Sequence, residues 1–282
     1  MYKLNGGAVS RRKAIYLNVP YMIDLSFNSC DFYAVDIHIT HLGISVVSDW
    51  YTISHPKLQS NHSSLEHSFN NLHPALQEIC GTLHFPPDNG HALMEEIQHS
   101  SGKIFGASDA SLKSGRATHA WIISPGKKDD INNPLLHISG PGMVHGNPNY
   151  LSSARGELQG ITAMSIICNM LSRHHNRQTK LSAICDNVGV INKCTKGKFS
   201  SLRRNRDANI DLYLTYKEQK LLSHTKLSWV GGHSDKKPWQ TFHDLKSLNL
   251  SCEETYNVWC DRIAQKTWEL GQAPSERWAV YS

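Results

Sequence analysis

The sequence predicts an α/β fold: a five-stranded mixed sheet flanked by helices, preceded by a small mixed N-terminal segment. Three observations lead to it. From residue 101 onward, periodicities change in the order strand, strand, strand, helix, strand, helices, strand, helix. Residues 152–174 form one long amphipathic stripe, with Leu158, Ile161, Met164, Cys168 and Leu171 at three-to-four spacing. The intervening strands are short apolar runs bounded by Gly, Ser, Pro and Asn turns.

Taken in order, residues 14–54 alternate in places (Val35, Ile37, Ile39 against Ala34, Asp36, His38, Thr40), which favours short strands. Residues 54–71 are rich in Ser, His and Asn and read as a linker. Short helices are expected at about 74–81 and 91–98, separated by the Pro86-Pro87-Asp88-Asn89-Gly90 turn. Strands follow at 103–109, 117–124 and 135–140, then the long helix. A buried strand at 181–185 precedes a helix from about Val188 and a longer one over 208–222. A fifth strand covers 226–230, and Ser251-Cys252-Glu253-Glu254 fits a capping box opening a last helix to about Leu270. Residues 1–100 hold 5 basic and 9 acidic side chains, residues 101–282 hold 24 and 15. That shift sets the expected boundary between an N-terminal segment (1–100) of unassigned role and a catalytic domain (101–282).

Composition removes several classes. With 282 residues, 39% hydrophobic and 19% charged, the chain can bury a core without disulfide or metal staples. Its most apolar stretches, 42–47 and 161–171, are far shorter than the roughly 20 residues of a membrane span. Residues 1–13 lack the apolar core of a signal peptide. Seven cysteines form no CxxC pair, which suits free thiols in a reducing compartment. The expectation is an intracellular protein, cytoplasmic or nuclear. The net charge of +5 says little as a total, and 17 histidines make it sensitive to pH.

Four acidic residues stand where chemistry is plausible. Asp109 closes the first strand of the second region, Glu157 lies in the first turns of the long helix, Asp186 follows the fourth strand, and Asp261 sits inside the last helix. Singly, each has a plainer account: a turn or cap for the aspartates after strands, a helix-dipole partner for Glu157, a solvated charge paired with Asn257 for Asp261. Together, converging carboxylates repel, and hard oxygen donors select magnesium or manganese.

The local sequences are Asp109-Ala110-Ser111, then Ala154-Arg155-Gly156-Glu157-Leu158, then Asp186-Asn187, then Trp229-Val230-Gly231-Gly232-His233, and finally Asn257 through Asp261 to Ala264. In this order they resemble the type 1 ribonuclease H family, within it the ribonuclease H domains attached to retroelement reverse transcriptases. The match covers roughly residues 103–270. It departs in Ala110, where the family commonly has glycine, and in the 28 positions from His233 to Asp261, longer than in compact cellular enzymes.

The resemblance implies a ribonuclease H-like fold and an endonuclease that hydrolyses the RNA strand of RNA–DNA hybrids, from a retrotransposon polyprotein or a stand-alone descendant. It implies two Mg2+ ions about 3.5–4 Å apart, with Mn2+ as substitute. Asp109 would bridge both ions, Glu157 and Asp186 would lie on one side, and Asp261 on the other. His233 would move protons or assist product release. Ser111, Asn187 and Asn257 are candidates for contacts to ribose 2′-hydroxyls. Lys193, Lys196, Lys198, Arg203, Arg204 and Arg206 fall within 14 residues containing no acid, where phosphate binding is expected. The tryptophans Trp229, Trp259, Trp268 and Trp278 are expected in the core, with Trp239 the best exposed exception. Cys252 and Cys260 have no metal spacing. No Tyr-x-Asp-Asp polymerase motif occurs in residues 1–100. The alternative is a catalytically silent hybrid or double-stranded nucleic-acid binding module of the same fold. An integrase or resolvase fits poorly with the Gly-His segment followed by Asn-x-x-x-Asp.

Overall fold

The computed structural model describes residues 32–40, 43–51, 64–146, 151–196, 208–232 and 241–271. The chain divides into two units, Met1–His62 and Ser63–Ser282. In the first, β1 (Phe32–Thr40) and β2 (Gly43–Tyr51) pair antiparallel as a two-stranded sheet.

The second unit begins with three short helices, α1 (Leu65–Asn70), α2 (Pro74–Cys80) and α3 (His91–His99). Then come β3 (Lys103–Lys113), β4 (Arg116–Ser124), β5 (Ile138–Ser139), β6 (Gly142–Met143) and α4 (Ser153–His174). The rest is β7 (Lys180–Cys185), α5 (Val188–Lys196), α6 (Ile210–Ser223), β8 (Lys226–Trp229), α7 (Phe242–Ser247) and α8 (Cys252–Leu270).

The sheet order is β5-β4-β3-β7-β8, with β6 also on β4. β4 lies antiparallel to β3, while β7 and β8 follow in parallel. This is a mixed sheet with helices on both faces. Strand alternation assigns the faces. Ile104, Trp121, Ile123, Leu181, Ala183 and Cys185 join the core under α4, which also includes Leu65, Cys80 and Leu93 of the first three helices. Ala107, Ala120, Ile122 and Ile184 join the core under α7 and α8, around Tyr256 and Trp259.

Both long helices start on geometric caps. The Ser152 side chain accepts from the Arg155 amide at 3.1 Å. At α8, Ser251 Oγ accepts from Glu254 N and Glu254 Oε2 accepts from Ser251 N, the reciprocal pair the sequence predicts. No helix among the described residues is long and apolar enough to cross a membrane.

Three expectations change. The division falls at residues 62/63 rather than near 100, because α1–α3 bury Leu65, Cys80, Leu93, Met94 and Ile97 in the α4 core; charge composition does not follow packing. The linker expected over 54–71 contains α1, capped by Ser64. The strand expected at 135–140 is reduced to two residue pairs at β5 and two more at β6.

Candidate active site

Four carboxylates come from four elements to the place where β7 stops. β7 pairs with β3 only as far as Ala107↔Ile184, whereas β3 runs on to Lys113. Asp109 therefore lies within its strand, paired with Ala120, rather than at its end; what ends there is the neighbouring strand. It shares a sheet face with Ala107, so it points toward α8, where Asn257 Nδ2 donates to Asp109 Oδ2 at 3.5 Å. Asp109 Oδ1 accepts from the Ala110 amide at 2.6 Å.

Glu157 arrives from the opposite face on α4. A Cβ at Gly156 would sit 2.6 Å from the Ala110 Cβ, so a bare backbone there lets α4 lie directly on β3. The methyl of Ala110, where the resemblance leads one to expect glycine, is thus accommodated by Gly156. Glu157 is 4% exposed and Asp109 5%. Glu157 Oε2 accepts from the Cys185 thiol at 2.8 Å, and Oε1 accepts from Asn187 Nδ2 at 3.3 Å.

Asp186 is half-buried just past β7, and its backbone carbonyl accepts from Trp229 Nε1 at 3.0 Å. A Cβ at Gly232 would collide with the Asp186 carboxylate, so the bare backbone there leaves that carboxylate in its place. Asp261, also half-buried, stands one turn after Asn257 on α8. That turn is tied to the sheet by Cys260 Sγ donating to Ala107 O at 3.4 Å and by Thr118 Oγ1 donating to Ala264 O at 2.7 Å.

The electrostatics follow from this convergence. Burial raises the Asp109 carboxyl well above the usual range, and the charges of Asp186, Asp261 and Glu157 raise it further. Burial pushes Glu157 up to about 7, with Asp186 adding and the Cys185 and Asn187 hydrogen bonds opposing. Burial and Glu157 together push the Cys185 thiol up, so it stays a donor. Repulsion among buried carboxylates is what a divalent cation relieves. Two further observations fit one. Donor atoms of Glu157, Cys185 and Asp186 lie within 4.8 Å of one another. Asn257 Oδ1 is a buried acceptor beside Asp109 with no hydrogen-bond partner. The Glu157 and Asp186 carboxylates therefore offer hard oxygen donors that fit a divalent ion, while Asp109 and Asp261 are tied to them here by charge.

No protein-family model matches the chain, and no curated protein matches it. Solved structures do resemble it. The N-terminal RNase H domain of a Mycobacterium tuberculosis protein, solved fused to maltose-binding protein, aligns at TM-score 0.39 and 11% identity, over 60% of this chain and 94% of that one. RNase H1 from Halobacterium salinarum gives 0.33 and 10%, over 46% and 86%. LC9-RNase H1, a type 1 RNase H with the type 2 active-site motif, gives 0.40 and 13%, over 62% and 75%. Such identities, with TM-scores below 0.5, say nothing of activity.

The other expected residues scatter more. Asn187 sits at the site, but its Oδ1 accepts from the Val190 amide at 3.1 Å while Nδ2 serves Glu157. Ser111 is partly exposed, two residues beyond Asp109 on β3. Lys193 and Lys196 lie on α5. His233, Lys198, Arg203, Arg204, Arg206, Trp239 and Trp278 lie outside the described residues. Trp229 contradicts its core expectation: it is 61% exposed. It stands at the last residue of β8, where the sheet ends.

Sequence reasoning missed Cys185 and the second half of the basic surface, and it quoted Gly232 for the Gly-His segment without its contact with Asp186. Lys217 and Lys220 on α6 act together with Lys193 on the buried Cys194 thiol, and Lys220 Nζ donates to Cys194 O at 3.5 Å. Their separation from Lys193 in sequence hid this grouping.

Proposed function

We propose that the chain is a nuclease of the ribonuclease H type that hydrolyses the RNA strand of RNA–DNA hybrids, using two divalent ions, Mg2+ with Mn2+ as substitute. The observation that carries this reading is the convergence of Asp109, Glu157, Asp186 and Asp261 from a central strand, a helix start, a strand end and the last helix. Those are the elements, in the order, that the five-motif resemblance requires. The retroelement type is supported by the same motifs and by the long stretch from His233 to Asp261.

In the reaction the P–O3′ bond breaks and a water oxygen joins phosphorus, leaving a 5′-phosphate and a 3′-hydroxyl. When bound, divalent ions would supply Lewis acidity at the attacking and leaving oxygens. Asp109, Glu157, Asp186 and Asp261 would hold them. Cys185 and Asn187 fix both oxygens of Glu157, and Asn257 fixes Asp109 Oδ2. With its carboxyl near 7, Glu157 can hold a proton at neutral pH until the site is loaded. His233 is assigned the mobile proton. Among the three candidates for contacts to ribose 2′-hydroxyls, Ser111 is the partly exposed one on β3, whereas Asn257 is buried. Phosphates of the hybrid would lie along the lysines of α5 and α6 and the basic residues that follow Lys196.

The test is substrate discrimination. Strand-labelled hybrid, double-stranded RNA and single-stranded RNA are incubated with the chain in Mg2+ and in EDTA. The reading expects cleavage of the RNA strand of the hybrid alone, only with metal. Salt-sensitive hybrid binding with no cleavage would favour the silent binding module instead.

A further inference from the structure

Trp229 is the most exposed large hydrophobic side chain among the described residues, at 61%. It pairs with Cys185 in the β7–β8 register, level with the end of β7. Its only polar atom, Nε1, is turned inward onto the Asp186 carbonyl at 3.0 Å. What it offers outward is therefore apolar ring. By alternation it shares the sheet face of Leu227 and Cys185, the face of Glu157 and of α5 with Lys193 and Lys196. α5 packs against β8, so the helix that carries Lys193 and Lys196 adjoins the strand that ends in Trp229, whose N–H is bonded to Asp186. An exposed tryptophan held by its N–H is a rigid platform: ordering the ring costs little on binding because the protein has already fixed it.

Resting on the function proposed above, we infer that Trp229 is a substrate-binding residue, its ring packing on the sugar face of the hybrid beside the nucleotide to be cut. The shallow minor groove of an A-like duplex presents sugar faces and 2′-hydroxyls that such a platform can reach, while the lysines of α5 meet the phosphates. A purely structural role makes a different demand. If Trp229 served only to hold Asp186 through its N–H, removing that N–H would matter and the ring would not.

Trp229→Phe and Trp229→Ala separate the two, in the full chain. Steady-state cleavage of a hybrid in Mg2+ and fluorescence anisotropy with a labelled hybrid in EDTA are measured for both. The inference expects Trp229→Ala to raise KM and the dissociation constant about 10-fold, with kcat within about 3-fold of native, and Trp229→Phe, which keeps a ring but loses its N–H anchor, to raise them only about 2- to 3-fold. A loss of kcat at unchanged KM, or equal damage from Phe and Ala, would overturn it. Anisotropy reads binding without cleavage, so a chain that binds hybrid through Trp229 but never cuts would sink the proposed activity and leave the platform standing. A native chain that binds no hybrid overturns both.

Discussion

The Cys185 thiol donates to Glu157 Oε2 across 2.8 Å, so one carboxylate of the site is held by the residue preceding another, Asp186. Removing that donor leaves a buried carboxylate short of a partner. Cys185→Ala should lower stability by about 1–3 kcal/mol, while Cys185→Ser, which keeps a donor, should lose less. Urea unfolding of both variants in EDTA checks this; equal losses would mean the thiol serves only as volume.

Glu157 gives the chain a pH signature. Its folded carboxyl sits near 7 against an ordinary 4.5, so between those values the folded state binds the extra proton. Its contribution to stability is therefore present below about pH 4.5 and lost as pH rises through 7. Glu157→Gln, which keeps an acceptor for Cys185, should melt above native in EDTA at pH 8 and show a smaller advantage at pH 5. Adding Mg2+ should raise the native melting temperature more at pH 8 than at pH 5, since loading must displace that proton.

Gly232 predicts a separation of activity from stability. A methyl there must displace the Asp186 carboxylate, the mobile end of a half-buried side chain, rather than backbone. Gly232→Ala should leave the unfolding midpoint nearly unchanged while lowering kcat by about 100-fold, the scale expected for misplacing a reacting group by about 1 Å. Circular dichroism melts beside single-turnover cleavage would read both.

Arg155 ties the start of α4 to the start of α6. Its guanidinium reaches Asp211 at 2.6 and 2.9 Å and donates to the carbonyls of His145 and Ala208 at 2.6 and 3.0 Å. Arg155 is buried and Asp211 largely exposed, so the loss falls on the carbonyls as much as on the ion pair. Arg155→Met should cost about 2–3 kcal/mol in urea unfolding, and Asp211→Asn less.

The four carboxylates stand out in the sequence because each lies beside a strong local signal: apolar runs before Asp109 and Asp186, a helical stripe after Glu157, a capping box before Asp261. The order of strands around them was also legible, since two-residue and three-to-four-residue periods differ clearly. Side-chain partnerships were not. Cys185 reads as one more apolar residue in 181–185, because only the packing of α4 on β3 brings Glu157 to it. Trp229 reads as core because it shares Leu227's face; its exposure follows from where the sheet ends, which one strand's pattern cannot carry. Lys217 and Lys220 look like an ordinary helix surface until α6 lies against α5. The helices of 65–99 were assigned to the wrong side of a boundary because charge, unlike burial, need not change where a domain does.

The central claim is that Asp109 and Asp186 carry hydrolysis of the RNA strand. The most direct measurement is Mg2+-dependent cleavage of an RNA–DNA hybrid by the native chain beside Asp109→Asn and Asp186→Asn. Cleavage by the native chain, reduced at least about 100-fold by each substitution with folding retained, is the predicted result. Cleavage that both substitutions leave intact would contradict the account.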